Sequence, residues 1–220
     1  WLGDRYDIVL FYDDDYIPAR TSVAGVERFF RTHPQVVGAT GNVVADGINN
    51  SGISLQQGLE ILERHESRES TPNCIVASQQ GLYGCNMAYR MAAVGSHRFD
   101  ERLKLYAWQE DIDFAAGLLP KGRIVRTFAF DGVHQGTKGG RTPGRRLGYS
   151  QVINPAYLVR KGTMRPSFAA KLMIRNVIAN HVKTLRPEPW VDRWGRVKGN
   201  WIGIADLLRG RLTPERIETL

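Results

Sequence analysis

Apolar and polar positions change period several times along this chain. Ile8-Val9-Leu10-Phe11-Tyr12 is an unbroken apolar run with β-branched and aromatic members, the pattern of a strand covered on both faces. It stops at Asp13-Asp14-Asp15, three carboxylates in succession. After Pro18, which a first helical turn tolerates, Val23, Val26, Phe29 and Phe30 recur at helical spacing until His33-Pro34 ends the helix. Residues 36–45 read as a strand crossed by Gly38 and Gly41, and 46–52 as a loop by turn chemistry. Leu55, Leu59 and Leu62 give one apolar side to a helix over 55–66, and 74–77 is a short strand. The spacing then predicts a helix over 109–119 with Ile112, Ala115, Ala116 and Leu119 inward. A strand over 124–130 follows, and helices over 149–160, 168–185 and 201–209 complete the chain.

Strands alternating with helices, then helices alone, predict an α/β fold: a mixed sheet flanked by helices, with a helical C-terminal extension. Residues 1–134 form the expected sheet domain, 135–148 a flexible basic loop, and 149–220 the extension.

Composition changes this picture little. A chain of 220 residues, 42% hydrophobic and 24% charged, has the make-up of a soluble globular protein. No apolar run approaches the ~20 residues that span a bilayer. Nor does the opening decapeptide carry a basic, then apolar, export signal. Two cysteines, Cys74 and Cys85, do not make a disulfide scaffold and suit buried thiols in a reducing compartment. The chain begins without methionine and its first strand arrives at once, so an upstream part is expected.

Charge changes it more. Residues 1–120 hold 10 basic against 16 acidic side chains, a net of −6, whereas 121–220 hold 20 against 6, a net of +14. The acidic front suits a cation, and the basic back suits phosphates, an anionic membrane surface or nucleic acid.

Five segments carry candidate chemistry. Asp13-Asp14-Asp15 is either a solvated turn capping the next helix or a hard-cation site. In an extended chain Asp13 and Asp15 share one side while Asp14 points elsewhere. Trp108-Gln109-Glu110-Asp111-Ile112-Asp113 opens a helix, where the macrodipole favours acids. The same field keeps a carboxylate ionised, so Asp111 or Asp113 can serve as a base, with Tyr106 and Trp108 as an aromatic platform. Gly84-Cys85-Asn86-Met87-Ala88-Tyr89-Arg90 allows close backbone approach by a ligand, or is a plain turn into a strand. His134 leads a Gly-rich basic loop that is either a linker or a lid over a diphosphate, with Lys138 and Arg141 on phosphate oxygens and His134 in a metal shell. Finally, Ala170, Met173, Ile174, Val177, Ile178 and Leu185 make a stripe flanked by Lys171, Arg175 and Lys183. It packs on its own domain or lies on an anionic membrane surface.

The apolar strand ending in acids, the Gly-x-Asn-Met-Ala-x-Arg segment and the Glu-Asp-x-Asp-Phe helix start, in that order, resemble the family 2 glycosyltransferases. The resemblance covers residues 7–134 and implies a partial GT-A (Rossmann-like) mixed sheet with a helical basic extension. It implies an inverting, metal-dependent transferase that moves a sugar from a nucleotide-diphosphate sugar to a saccharide or lipid-linked acceptor hydroxyl, in polysaccharide or glycolipid synthesis. Asp13 and Asp15, with Asp14 between them, match the Asp-x-Asp motif for a divalent Mg or Mn ion and the donor. Lys138 and Arg141 would meet the donor's diphosphate, and His134 resembles the histidine that completes the metal site. Asp111 matches the catalytic base, next to Glu110. Gly84, Cys85 and Asn86 match the segment between donor and acceptor sites, with Trp108 as an acceptor platform.

The family's opening strands, which select the nucleotide, are absent from these 220 residues, so they are expected to bind donor poorly alone. The implied location is cytoplasmic, with peripheral contact at the inner membrane face and no nucleic acid partner. Two other readings compete. A haloacid-dehalogenase-like Mg-dependent phosphohydrolase also has a strand ending in Asp-x-Asp, but its later acids follow a strand. A non-catalytic module binding anionic surfaces or nucleic acid would rest on the basic half alone.

Overall fold

The computed structural model describes residues 5–67, 73–139 and 143–220. The chain is mixed α/β. In order, its elements are β1 (Ile8–Tyr12), β2 (Tyr16–Pro18), α1 (Ser22–Thr32), β3 (Val36–Asp46), α2 (Leu55–Glu66), β4 (Ile75–Ser78), β5 (Asn86–Arg90), α3 (Met91–Val94), α4 (Glu110–Leu118), β6 (Arg123–His134), α5 (Gly144–Lys161), α6 (Pro166–Lys183) and α7 (Arg193–Leu208). Two compact units result: residues 1–98 with 114–139, and residues 99–113 with 140–220. The unit boundary falls within α4. Residues 99–113, expected in the sheet domain, thus belong to the helical unit, and Glu110 and Asp111 go with them.

The first unit is built on a six-stranded sheet of order β1-β5-β3-β6-β2, with β4 also on β6. β5 runs antiparallel to both β1 and β3, and β3 runs parallel to β6. Hence β1, β3 and β6 point the same way and end together at one rim of the sheet. Phe29, Phe30 and Val26 of α1 pack on Val36, Ala39, Val125 and Phe130 to make the main core. The helix comes very near the sheet at Gly25, where an added Cβ would lie 1.9 Å from the Ala129 carbonyl oxygen. A reciprocal capping box starts α2: Ser54 Oγ accepts from Gln57 N–H at 3.2 Å, and Gln57 Oε1 accepts from Ser54 N–H at 3.0 Å.

Several sequence expectations change here. β1 is half-buried rather than covered on both faces, because among the described residues only β5 pairs with it. Of the three leucines of α2 only Leu62 is buried; Leu55 and Leu59 are exposed, since Gly58 and Leu62 face Ile17 and Val133. In α4 the inward residues are Phe114, Ala115 and Leu118, while Leu119 lies exposed in the next turn. β6 runs four residues beyond its expected end, to His134. The expected loop 135–148 is shorter, because α5 starts at Gly144.

In the second unit, α5, α6 and α7 join through a buried amide network. Asn180 Nδ2 donates to Gln151 Oε1 at 2.8 Å and to Asn200 Oδ1 at 2.9 Å. The expected apolar stripe is not the buried side of α6: Met173 and Val177 are half-buried and Ala170, Ile174, Ile178 and Leu185 exposed, while the buried positions are Ala169 and Asn180.

Candidate metal centre

Strand direction sets up the site. Asp46 and His134 are the last register pair of the parallel β3 and β6, and Tyr16 of β2 pairs with His134 on its other edge. Asp13 to Asp15 lie between β1 and β2 in a turn, closed by Tyr16 N–H donating to Asp13 O at 3.0 Å. This corrects the expectation of an extended acidic segment. A turn still brings the outer two acids round to one side, and Asp13, Asp15 and His134 each offer a ligand atom, all within 4.8 Å of one another.

His134 is buried and fixed. Its Nδ1 lies 2.9 Å from Asp46 Oδ1 and 3.2 Å from the Tyr83 hydroxyl, which itself donates to Asp46 Oδ2 at 2.9 Å. The Ile48 N–H donates to Asp46 Oδ1 at 2.9 Å, so that carboxylate is oriented as well. With the Nδ1 proton given to Asp46, Nε2 is turned to Asp15 Oδ1, 3.3 Å away. A lone pair facing a carboxylate repels it unless a proton or a cation lies between them. Asp15 is held in turn by Thr137 N–H, which donates to Oδ2 at 2.7 Å. Gly136 makes that reach feasible: its φ is +63°, and a Cβ there would lie 2.2 Å from the Gly47 carbonyl carbon.

The electrostatics call for positive charge. Burial raises the pKa of Asp13; His134 opposes this, while Asp15 and Asp14 push it further up. For His134, burial disfavours the imidazolium, but the hydrogen bond and charge of Asp46, then Asp15 and Asp13, outweigh it and raise the pKa. Asp46 is lowered, because hydrogen bonds from His134, Ile48 and Tyr83 overcome its burial. The 3.3 Å between Asp15 Oδ1 and His134 Nε2 is compatible with a shared cation. Around a six-coordinate ion with bonds of about 2.1 Å, adjacent ligand atoms lie about 3.0 Å apart and opposed ones about 4.2 Å. Two carboxylates and an imidazole favour Mn²⁺ over Mg²⁺, which prefers oxygen alone.

No protein-family model matches the chain, and no curated protein matches it.

The other candidate residues are placed as follows. Asp14 is exposed at the turn. Cys85 and Asn86 are buried: Asn86 Nδ2 donates to the Tyr16 hydroxyl at 2.7 Å, and its carbonyl accepts from Thr40. Burial, then the negative charges of Asp13, Asp46 and Asp15, push the Cys85 thiol pKa far up, so it stays neutral. The Asn86 side chain thus ties β5 to β2 and the Cys85 side chain is buried, so neither lines a surface; Gly84 is half-buried beside them. The Lys138 ammonium donates to the carbonyls of Gly47 and Ile48 at 2.7 and 3.1 Å, which ties it to the loop after β3. Arg141 lies outside the described residues.

Trp108, Glu110 and Asp111 lie in the second unit, as does Asp113, and their hydrogen bonds distinguish the two candidate bases. Asp113 is buried and accepts from Lys161 Nζ and Thr163 Oγ1, each at 2.6 Å, so it is a structural group. Asp111 Oδ1 accepts from Ile112 N–H at 2.8 Å in the first turn of α4. Just before it, Leu105, Ala107 and Gln109 have φ of 59°, 45° and 78°. Left-handed non-glycine residues cost about 1 kcal/mol or more each and persist where the surroundings hold them. Asn154 does so by donating to Trp108 O at 2.8 Å, as does burial of Ala107 among Tyr157 and Leu158. Asp46 and Tyr83 escaped sequence reasoning. The one available signal was that Asp46, like His134, ends a strand, as Asp13 directly follows one.

Proposed function

We propose that this protein is an inverting glycosyltransferase of the family 2, GT-A type, transferring a sugar from a nucleoside-diphosphate donor to an acceptor hydroxyl. The observation that carries the reading is the convergence of Asp13, Asp15 and His134 at the shared rim of three co-directional strands, where open α/β sheets bind ligands. A divalent cation there would neutralise charge on the departing diphosphate. Asp13 and Asp15 would hold it through carboxylate oxygens, and Asp46 keeps the His134 ring turned so that Nε2 faces Asp15.

Asp111 is the proposed base. Its carboxylate takes the proton of the acceptor hydroxyl; the oxygen then forms the new bond at the anomeric carbon as the bond to diphosphate breaks, which inverts that centre. The strained segment before it supports this role by fixing where Trp108 and Asp111 stand. Glu110 and Asp111 open a helix rather than end a strand, which counts against the phosphohydrolase alternative.

The test is Asp111→Asn in the full-length protein, assayed for transfer from a panel of nucleotide sugars with Mn²⁺. Transfer falls at least about a thousandfold, while Mn²⁺ binding, followed by calorimetry, is unchanged. Surviving transfer overturns the base assignment. Hydrolysis of a simple phosphate ester through a phosphoenzyme overturns the reaction class.

A further inference from the structure

No helix among the described residues is long and apolar enough to cross a membrane. Yet α6 and α7 turn large apolar side chains to solvent. Ile174, Ile178 and Val182, at successive i, i+4 positions of α6, are 59%, 57% and 60% exposed. On α7, Trp194 and Trp201 are 63% and 59% exposed and seven residues apart, so they share one face. The two stripes adjoin, because the Trp201 indole N–H donates to His181 Nε2 at 3.1 Å, one helical position from Val182.

We propose that this α6–α7 face is a docking surface for an anionic lipid bilayer. Charge selects that occupant. α6 contains Lys171, Arg175 and Lys183 and no acidic residue, and Lys171 and Arg175 lie beside the exposed isoleucines. The one acid of α7, Asp206, is buried and bonded to Tyr149 and Arg216. Outward charge on these helices is therefore positive, interleaved with aliphatic and indole groups, the composition of a helix pair lying in a headgroup region. A second copy would oppose like charges, because the carboxylates nearest the face are already engaged, Glu188 by Lys183 and Arg193 and Asp192 by the Gly195 N–H that it caps. Nucleic acid would leave Ile174, Ile178 and Val182 without a role.

The intact chain is floated with vesicles of phosphatidylcholine alone and of phosphatidylcholine mixed with phosphatidylglycerol. It is expected to float with the mixed vesicles, to bind neutral ones about tenfold more weakly, and to release as salt rises. Ile174→Asp with Ile178→Asp abolishes flotation. Lys171→Glu with Arg175→Glu lowers it about tenfold or more. All four positions are exposed, and circular dichroism checks that both variants fold. Absence of flotation, or flotation unchanged in both variants, overturns the proposal. So does a dimer that forms with concentration and is lost in Ile178→Asp without vesicle binding, which assigns the face to a second copy. Vesicle binding needs no sugar transfer, so its outcome is independent of the transferase reading.

Discussion

Each unit of the protein contains a cluster of aspartates, and the two clusters are completed differently. In the helical unit, Lys161 Nζ lies 2.6 Å from both Asp100 and Asp113. The Tyr157 hydroxyl donates to Asp100 at 2.7 Å, and Thr163 donates to Asp113 at 2.6 Å. That cluster is closed by its own chain. In the sheet unit, Asp13, Asp15 and Asp46 face a single imidazole, with Asp14 alongside. Its buried neighbours, Cys85 and Tyr16, have pKa values pushed up by burial and by surrounding negative charge, so they stay neutral and leave the charge of the cluster unchanged. Acidic residues alone do not distinguish a structural cluster from a functional one. What does is whether the fold supplies the countercharge.

Removing one group from each cluster should therefore give opposite signatures. The largest effect expected is His134→Ala, which takes away the nitrogen ligand and the partner of Asp46; Mn²⁺ affinity should fall about a hundredfold or more by titration calorimetry. Asp113→Asn should leave that affinity unchanged. If both variants bind Mn²⁺ like the parent chain, the acidic turn is not a metal site.

Next in size is Lys161→Met. It strands Asp113, which is 2% exposed, and should cost about 2 kcal/mol in chemical denaturation. The estimate lies below the range for fully buried pairs because the Lys161 side chain is 32% exposed. The sheet unit reverses the sign: Asp13→Asn should raise stability without metal, since it relieves burial and repulsion that His134 answers only in part. A stabilising Lys161→Met or a destabilising Asp13→Asn would erase the distinction between the clusters.

The sequence made one side of this comparison more visible than the other. Asp13 and Asp15 are two residues apart and follow an apolar run, so periodicity alone marks them as a strand tip. Asp46 and Tyr83 join His134 through strand register and a loop crossing, 88 and 51 residues away in sequence, and no local pattern encodes that. Asp111 and Asp113 look alike in sequence, because the groups that claim Asp113 come 48 and 50 residues later. The left-handed backbone at Leu105, Ala107 and Gln109 was invisible for a related reason: without glycine there, only tertiary contacts impose it. Most helices were legible, although α7 begins at Arg193 rather than at residue 201 and α3 had no periodic signal, but the inward faces of α2 and α4 were not. Apolar spacing marks a stripe, and neighbours such as Ile17 and Val133 decide which part of it is covered.

The smallest predicted effect tests whether the closed cluster is electrostatic in origin. Burial opposes ionisation of Asp100, but hydrogen bonds from Lys161, Tyr157 and the Arg102 N–H outweigh it and lower its pKa below the ordinary 3.8. Burial likewise opposes the Lys161 charge, and Asp100 and Asp113 outweigh it to raise that pKa above 10.5. A lowered carboxylate stabilises the fold above its ordinary value and loses that contribution as pH falls through the folded value; a raised ammonium loses its contribution as pH rises through its own. Between about pH 4 and pH 10, then, the stability gap between the parent chain and Lys161→Met should be flat. It should narrow below that window as Asp100 protonates, and above it as Lys161 discharges. Denaturant midpoints for both proteins across pH measure this. A gap that persists undiminished into acid would mean that Lys161 acts through packing of its aliphatic stem, and the contrast with the metal centre would then be one of shape rather than of charge.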